Sequence, residues 1–159
     1  MSQIRSATPE DAPTSAGFQI AMASETEDRP LDPAVIGPGV QRGIQDPAKG
    51  RYWVAEEDGE VVGSLMVTLE WSDWRNGWIW WIQSVYVLRE ARGRGHYRAL
   101  YDEVLREARA AEDVRAIRLY VEVENSTARK VYERLGMEET GYRLYETSID
   151  GTSSAEAGA

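Results

Sequence analysis

Apolar and polar residues alternate along the chain in two rhythms that change at defined points. RYWVAEE (51–57) and EVVGSLMVTLEW (60–71) alternate with period two and read as strands. Between them stands Asp58-Gly59, a dipeptide that accepts the positive φ angles of a tight hairpin. SDWRNG (72–77) gives a second turn, ending in Asn76-Gly77, and WIWWIQSVYVL (78–88) a third long strand. From Arg94 to Ala111 the spacing becomes three and four, with Tyr97, Leu100, Tyr101, Val104, Leu105 and Ala108 on one helical face. AIRLYVEVE (116–124) returns to a strand. Ala128, Val131, Tyr132 and Leu135 then form the apolar face of a helix opened by Asn125-Ser126 and stopped by Gly136. ETGYRLYETS (139–148) reads as a last strand. At the start, QIRSAT (3–8) predicts a short strand, and Pro9-Glu10-Asp11 a helix start whose acids suit the positive helix end. Residues 10–28 are helical with weak periodicity, Arg29, Pro30 and Pro33 interrupt, and 33–46 predict a short helix ended by Asp46-Pro47.

The order β, two helices, β-hairpin, β, helix, β, helix, β implies an α/β fold: one mixed central sheet flanked by helices, antiparallel in its first half. A right-handed crossover is expected between 78–88 and 116–124. The 159 residues suit a single domain, taken as 1–149. The tail DGTSSAEAGA (150–159) is too poor in apolar residues to fold and is expected to be disordered.

Composition narrows the function classes. Hydrophobic residues make up 42% and charged residues 28%, without an apolar run long enough for a membrane span, so no membrane partner is expected. The N-terminus shows no basic-then-apolar leader, and a cytoplasmic location is expected. With no cysteine, disulfides and thiol catalysis are excluded. A net charge of −9 argues against a nucleic-acid partner and suits a cationic substrate. Against this background Arg89, Arg92, Arg94 and Arg98 crowd into ten residues with Glu90 as the one acid. Within that run lies RGRGHYRAL (92–100), a glycine-rich turn between a strand and a helix. Such a turn can aim backbone N–H groups at an anion, with the helix N-terminus adding positive potential. The same arginines would serve equally as solvated charges on a turn. No Walker loop is present, and GRGHYR lacks the third glycine of the dinucleotide fingerprint.

One strand and one helix later comes NSTARKVYERLGM (125–137). Together the two stretches resemble the GNAT family of N-acetyltransferases. Its pyrophosphate loop follows the pattern Q/R-x-x-G-x-G/A, met here by Arg92 and Gly95, with Tyr97 where the third position is small. Its second signature resembles N-x-x-A-x-x-x-Y-E-x-x-G-F, and Asn125, Ala128, Tyr132, Glu133 and Gly136 match it, with Met137 for the phenylalanine. The matching order of elements spans residues 3–148.

The resemblance implies an N-acetyltransferase that moves acetyl from acetyl-CoA directly to a primary amine of a small molecule or peptide. In that reading acetyl-CoA enters between 78–88 and 116–124, where two parallel strands splay apart. The backbone of Val85 and Val87 pairs with the pantetheine arm. The amides of Gly93, Arg94, Gly95, His96, Tyr97 and Arg98, following Arg92, hold the pyrophosphate. Asn125 contacts the cofactor arm, and Tyr132 protonates the departing thiolate, although its place among Ala128, Val131 and Leu135 equally suits packing. No motif fixes the general base. Glu122 is the first choice, sharing a strand side with Glu124, and Glu25, Glu27, Glu70 and Gln83 are further candidates. His96 reads as a loop residue. Five tryptophans, Trp71, Trp74, Trp78, Trp80 and Trp81, fall within eleven residues. They read as core, as an aromatic wall for a cationic acceptor with Trp81, Gln83 and Glu27 lining it, or as a homodimer contact. No metal site is expected. The competing reading is a non-catalytic acyl-CoA sensor or interaction module on the same fold, and a longer acyl group than acetyl stays open.

Overall fold

The computed structural model describes residues 2–151. In chain order these form β1 (Gln3–Ser6), a 3-10 turn (Pro9–Asp11), α1 (Ala12–Glu27), α2 (Pro33–Gln45), β2 (Arg51–Glu57), β3 (Glu60–Ser72), β4 (Gly77–Val87), α3 (His96–Ala110), β5 (Val114–Arg118) and α4 (Ser126–Arg134). The strands lie side by side in the order β1-β2-β3-β4-β5. The first three pairings are antiparallel, and β4 and β5 are parallel, joined through α3. The mixed sheet flanked by helices is therefore the fold the sequence pattern implies. The chain divides into two compact units at Arg118–Leu119.

Local chemistry explains the boundaries. Asp58 and Gly59 both take positive φ, 52° and 83°, the twist that lets β3 fold back on β2. The Asp32 side chain accepts the Ala34 N–H at 2.9 Å, and Pro33 opens α2. α1 ends where Asp28 turns left-handed, with Arg29 N–H donating to the Ala23 carbonyl. Its weak periodicity has a simple origin: most of its buried positions are small, Ala12, Ser15, Ala16 and Ala23, with Phe18 and Gln19 between them. At the other end of the sheet, Asp11 accepts from both terminal nitrogens of Arg5, at 2.7 and 2.9 Å, and from Thr8 N–H at 2.7 Å. Arg5 also reaches Glu56, so β1, the 3-10 turn and β2 share one ionic knot.

Successive strand residues face opposite ways, so Tyr52 and Trp53 report the two faces of the sheet. Tyr52 packs with Ala12, Ala16, Val40, Ile36 and Ile44 of α1 and α2. On the opposite face Trp53 donates to Glu107 of α3 at 3.1 Å, and its ring lies 6.3 Å from that of Trp80. Leu65, Val67, Leu100 and Val104 complete a core without exposed surface. Burying each such side chain is worth about 1.5–3 kcal/mol.

Two expected strands differ. The strand expected at 116–124 starts earlier and ends at Arg118. Beyond it, Asn125 N–H donates to the Glu122 carbonyl and Glu124 N–H to the Glu122 carboxylate, so a local turn captures the groups a ladder would use. Residues 139–148 form no strand: Tyr142, Leu144 and Tyr145 are exposed. A strand needs a neighbour to supply its ladder. In the second unit α4 is the one regular element among the described residues. The tail expected at 150–159 lies outside the described residues beyond Gly151.

Candidate functional site

β4 is the longest run of apolar sequence, and it carries an irregularity at its centre. Gln83 pairs with Met66 and Tyr86 with Ser64, so Ser84 and Val85 together oppose the single Leu65. This is a β-bulge, which bends the strand and frees backbone groups from the ladder. Ser84 sits left-handed with φ 52°, a conformation that costs a non-glycine residue about 1–2 kcal/mol. On its other edge β4 pairs with β5 over Trp78–Trp81 alone. From Ile82 to Val87, among the described residues, no strand adjoins that edge. Val85 and Val87, expected to offer backbone groups to a cofactor arm, lie on this stretch.

The arginine–glycine loop follows directly. Gly93 and Gly95 have φ of 77° and 86°, and a Cβ built at either would meet no protein atom within 4 Å. The glycines are there for backbone conformation, with open space beside them. Gly95 is the N-cap of α3, and no side chain caps the helix. The arginines, in contrast, turn to protein acids. Arg92 donates to Glu25 at 2.7 Å and to the Val87 carbonyl at 2.9 Å, Arg94 to Glu57 at 2.7 Å, and Arg98 to Asp102 at 2.9 Å. His96 is 2% exposed, with its Nε2 3.6 Å from Glu57 and neither ring nitrogen hydrogen-bonded. Tyr97 is half-buried in the first turn of α3.

Helix α1 fastens the bulge and the loop from one side. Gln19, 5% exposed, donates its amide to the Ser84 carbonyl at 3.1 Å. Glu25 accepts from Tyr86 Oη at 2.9 Å as well as from Arg92, with Arg89 at 3.7 Å. Phe18 packs on the Tyr86 ring, 5.3 Å between centroids. The hydrogen bond from Arg92, reinforced by Tyr86, holds the Glu25 carboxyl below its ordinary range. The Glu25 carboxylate thus serves as the acceptor that ties Tyr86 of β4 and Arg92 of the loop to α1. The Tyr86 hydroxyl is pushed up by burial and by Glu25, which keeps it a donor.

The sheet face that carries Tyr52 and Tyr86 also carries a half-open polar strip. Gln83 donates to Thr68 at 2.6 Å, and Trp81 Nε1 to Glu70 at 2.7 Å. Arg118 stands 3.8 Å from Glu70 and 6.0 Å from the Trp81 ring. The tryptophan block thus divides. Trp80 is core, Trp78 and Trp71 meet edge to face at 5.0 Å, Trp81 joins the polar strip and Trp74 is 93% exposed. Glu27 is exposed on the last turn of α1.

The second unit carries the other motif. Asn125 caps α4 by accepting Ala128 N–H at 3.1 Å. Met137 N–H donates to Tyr132 O and Gly136 N–H to Glu133 O, with Gly136 at φ 86°, the paired bonds of a Schellman stop. Tyr132 is half-buried with Ala128, Val131 and Leu135. The spacing Asn–Ala–Tyr–Glu–Gly thus encodes a helix with both ends closed. Glu122 is exposed in the turn before it rather than on a strand, so alternation no longer relates it to Glu124. Sequence reading missed Gln19 and Ser84. A bulge leaves no compositional mark, and the one available signal was an amide amid small apolar residues on α1.

The comparisons with known proteins agree with this geometry. The family model for the acetyltransferase (GNAT) family matches residues 15–137. A crystal structure titled "a possible acetyltransferase" from Clostridium difficile 630 is 41% identical, with a TM-score of 0.89 over 94% of this chain and 98% of that one. An integron cassette protein from the Cole Harbour salt marsh metagenome is 25% identical, with a TM-score of 0.80 over 92% and 90% of the two chains. The fold is also that of a ribosomal-protein-alanine N-acetyltransferase from Brucella melitensis biovar Abortus 2308, at 20% identity and a TM-score of 0.74 over 94% and 99%. No curated protein sequence matches the chain. With the family model covering most of its length, and with the bulged β4 running into a glycine turn and an uncapped helix, the chain belongs to the GNAT acetyltransferase family.

Proposed function

We propose that the protein transfers acetyl from acetyl-CoA to a primary amine of a small molecule or peptide, by direct attack. The observation that carries the reading is the bulged stretch of β4, paired with β3 but with no strand on its other edge among the described residues, leading into Gly93, Gly95 and the open end of α3. Val85 and Val87 offer backbone groups to the pantetheine arm as an added strand would. The amides of 93–98 receive the pyrophosphate, helped by the helix end. Arg92 and Arg94 hold acids on α1 and β2 and so fix the loop, while Arg98 pairs with Asp102 within α3.

By its match to the family signature, Tyr132 is the proposed acid, and Asn125 the proposed contact to the cofactor arm. The amine nitrogen bonds to the thioester carbonyl carbon, the C–S bond breaks, and the sulfur takes the Tyr132 hydroxyl proton. The proton shed by the amine passes to Glu122, the proposed base, directly or through water. Trp81, Gln83 and Glu27 are proposed to line the acceptor side, where an aromatic face and carboxylates suit a cation.

The test is a titration with acetyl-CoA, followed by an amine panel read by thiol release. Binding with shifts of the 93–98 amide signals, and turnover with an amine, are expected. Tyr132→Phe is expected to lower kcat by about 10²-fold or more while leaving acetyl-CoA affinity unchanged. Absence of binding overturns the proposal. Binding without thiol release from any amine would instead indicate a sensor.

A further inference from the structure

We propose that Gln19, on α1, is a positioning residue of the acetyl-transfer site: its amide holds the β4 bulge in the conformation that aims Val85 N–H at the bound thioester arm. The proposal rests on the acetyl-CoA reading of β4 above.

The argument begins with an unusual cost. Ser84 is left-handed in the middle of a strand, and such a conformation persists when the surroundings over-determine it. Gln19 is the group that does so. It is a buried amide on a helix face otherwise made of small residues, and its one tertiary hydrogen bond goes to the Ser84 carbonyl at 3.1 Å. A polar side chain buried there without need would be replaced by an apolar one at no loss. The carbonyl of Ser84 and the N–H of Val85 belong to one trans peptide unit and point in opposite directions. A donor on α1 that fixes the carbonyl therefore fixes Val85 N–H pointing away from α1, on the stretch of β4 that lies beyond its pairing with β5. Phe18 and Glu25 hold Tyr86, the next residue but one after Ser84, so α1 constrains the bulge at both ends. Gln19 would act through Ser84 and touch neither substrate.

The experiment uses Gln19→Met, which keeps volume and loses the donor, together with Ser84→Gly and the double variant. Glycine adopts positive φ without strain, so Ser84→Gly relieves the demand that Gln19 meets. Gln19→Met is expected to raise the acetyl-CoA Kd by about three- to tenfold, to lower kcat, and to shift the Val85 amide signal. Ser84→Gly sets the reference Kd and Val85 signal for its own background, and the double variant is expected to match it, recovering most of what Gln19→Met alone loses. A purely packing role for Gln19 would not be rescued by glycine at 84. A folded Gln19→Met with wild-type Kd, or a double variant no better than the single one, overturns the proposal. If Gln19→Met does not fold, the double variant decides alone: folding and binding support the proposal, and failure of either overturns it. Wild-type chain that binds no acetyl-CoA would overturn the acetyl-CoA reading itself, an outcome distinct from these.

Discussion

Single residues set the backbone of the loop, and their substitutions separate conformation from contact. Gly95 has φ 86° with open space around it, so an added Cβ meets strain and no clash. Gly95→Ala is expected to cost about 1–2 kcal/mol in denaturant unfolding, from the left-handed backbone alone. It is also expected to weaken acetyl-CoA binding, which calorimetry would read. An unchanged stability would mean that the turn relaxes to another conformation. The Arg5–Asp11 pair allows a second residue-scale prediction. The hydrogen bond from Arg5 holds the Asp11 carboxyl below its usual 3.8. A group depressed in the folded state adds stability above its unfolded pKa and loses it as pH falls through its folded pKa. Unfolding midpoints should therefore drop below about pH 4, the ordinary aspartate value. Asp11→Asn should cost about 1.5–3 kcal/mol at neutral pH, the range for hydrogen bonds to charged groups, and flatten that acid limb.

At the scale of elements, the sequence predicted most strands and helices to within a residue or two because their signals are local. Asp58-Gly59, Asn76 and Gly136 each act through their own positive φ angles. The strand expected at 139–148 failed for the opposite reason: alternation describes a side-chain pattern, whereas a ladder needs a partner strand. Arg115 shows how non-local the remaining junctions are. Its guanidinium donates to the carbonyls of Arg75, Asn76 and Glu112, pinning the β3–β4 turn to the link between α3 and β5. Gly77 permits that approach, since a Cβ there would stand 2.5 Å from the Asp113 carbonyl oxygen. Gly77→Ala must push the turn off β5 and is expected to destabilise by about 1–3 kcal/mol. Thermal unfolding would read the loss. Arg115→Ala, which removes the clamp without overpacking, should add little further loss in the double variant if both act on this one junction.

Across the whole molecule the chain carries a net charge of −9, while acetyl-CoA is itself a polyanion. In the sequence the arginines crowded near residue 92 stand out against that charge, either as anion contacts or as solvated charges on a turn. In the structure Glu25, Glu57 and Asp102 each neutralise one of them. What remains for an anion is the backbone of Gly93–Arg98 and the end of α3, which act at hydrogen-bond range. The two arrangements respond to salt in opposite ways. Guanidiniums reaching phosphates lose affinity as ionic strength rises. Backbone contacts inside a repelling field gain from screening, because the Debye length shrinks from about 30 Å at 0.01 M to about 8 Å at 0.15 M. The acetyl-CoA Kd is therefore expected to stay level or tighten over that range, while the KM of a cationic amine rises as its long-range attraction is screened. Calorimetry and initial rates at matched salt would read both. A Kd that weakens about tenfold or more, the direction counterion release from arginine contacts gives, would return the anion to the side chains.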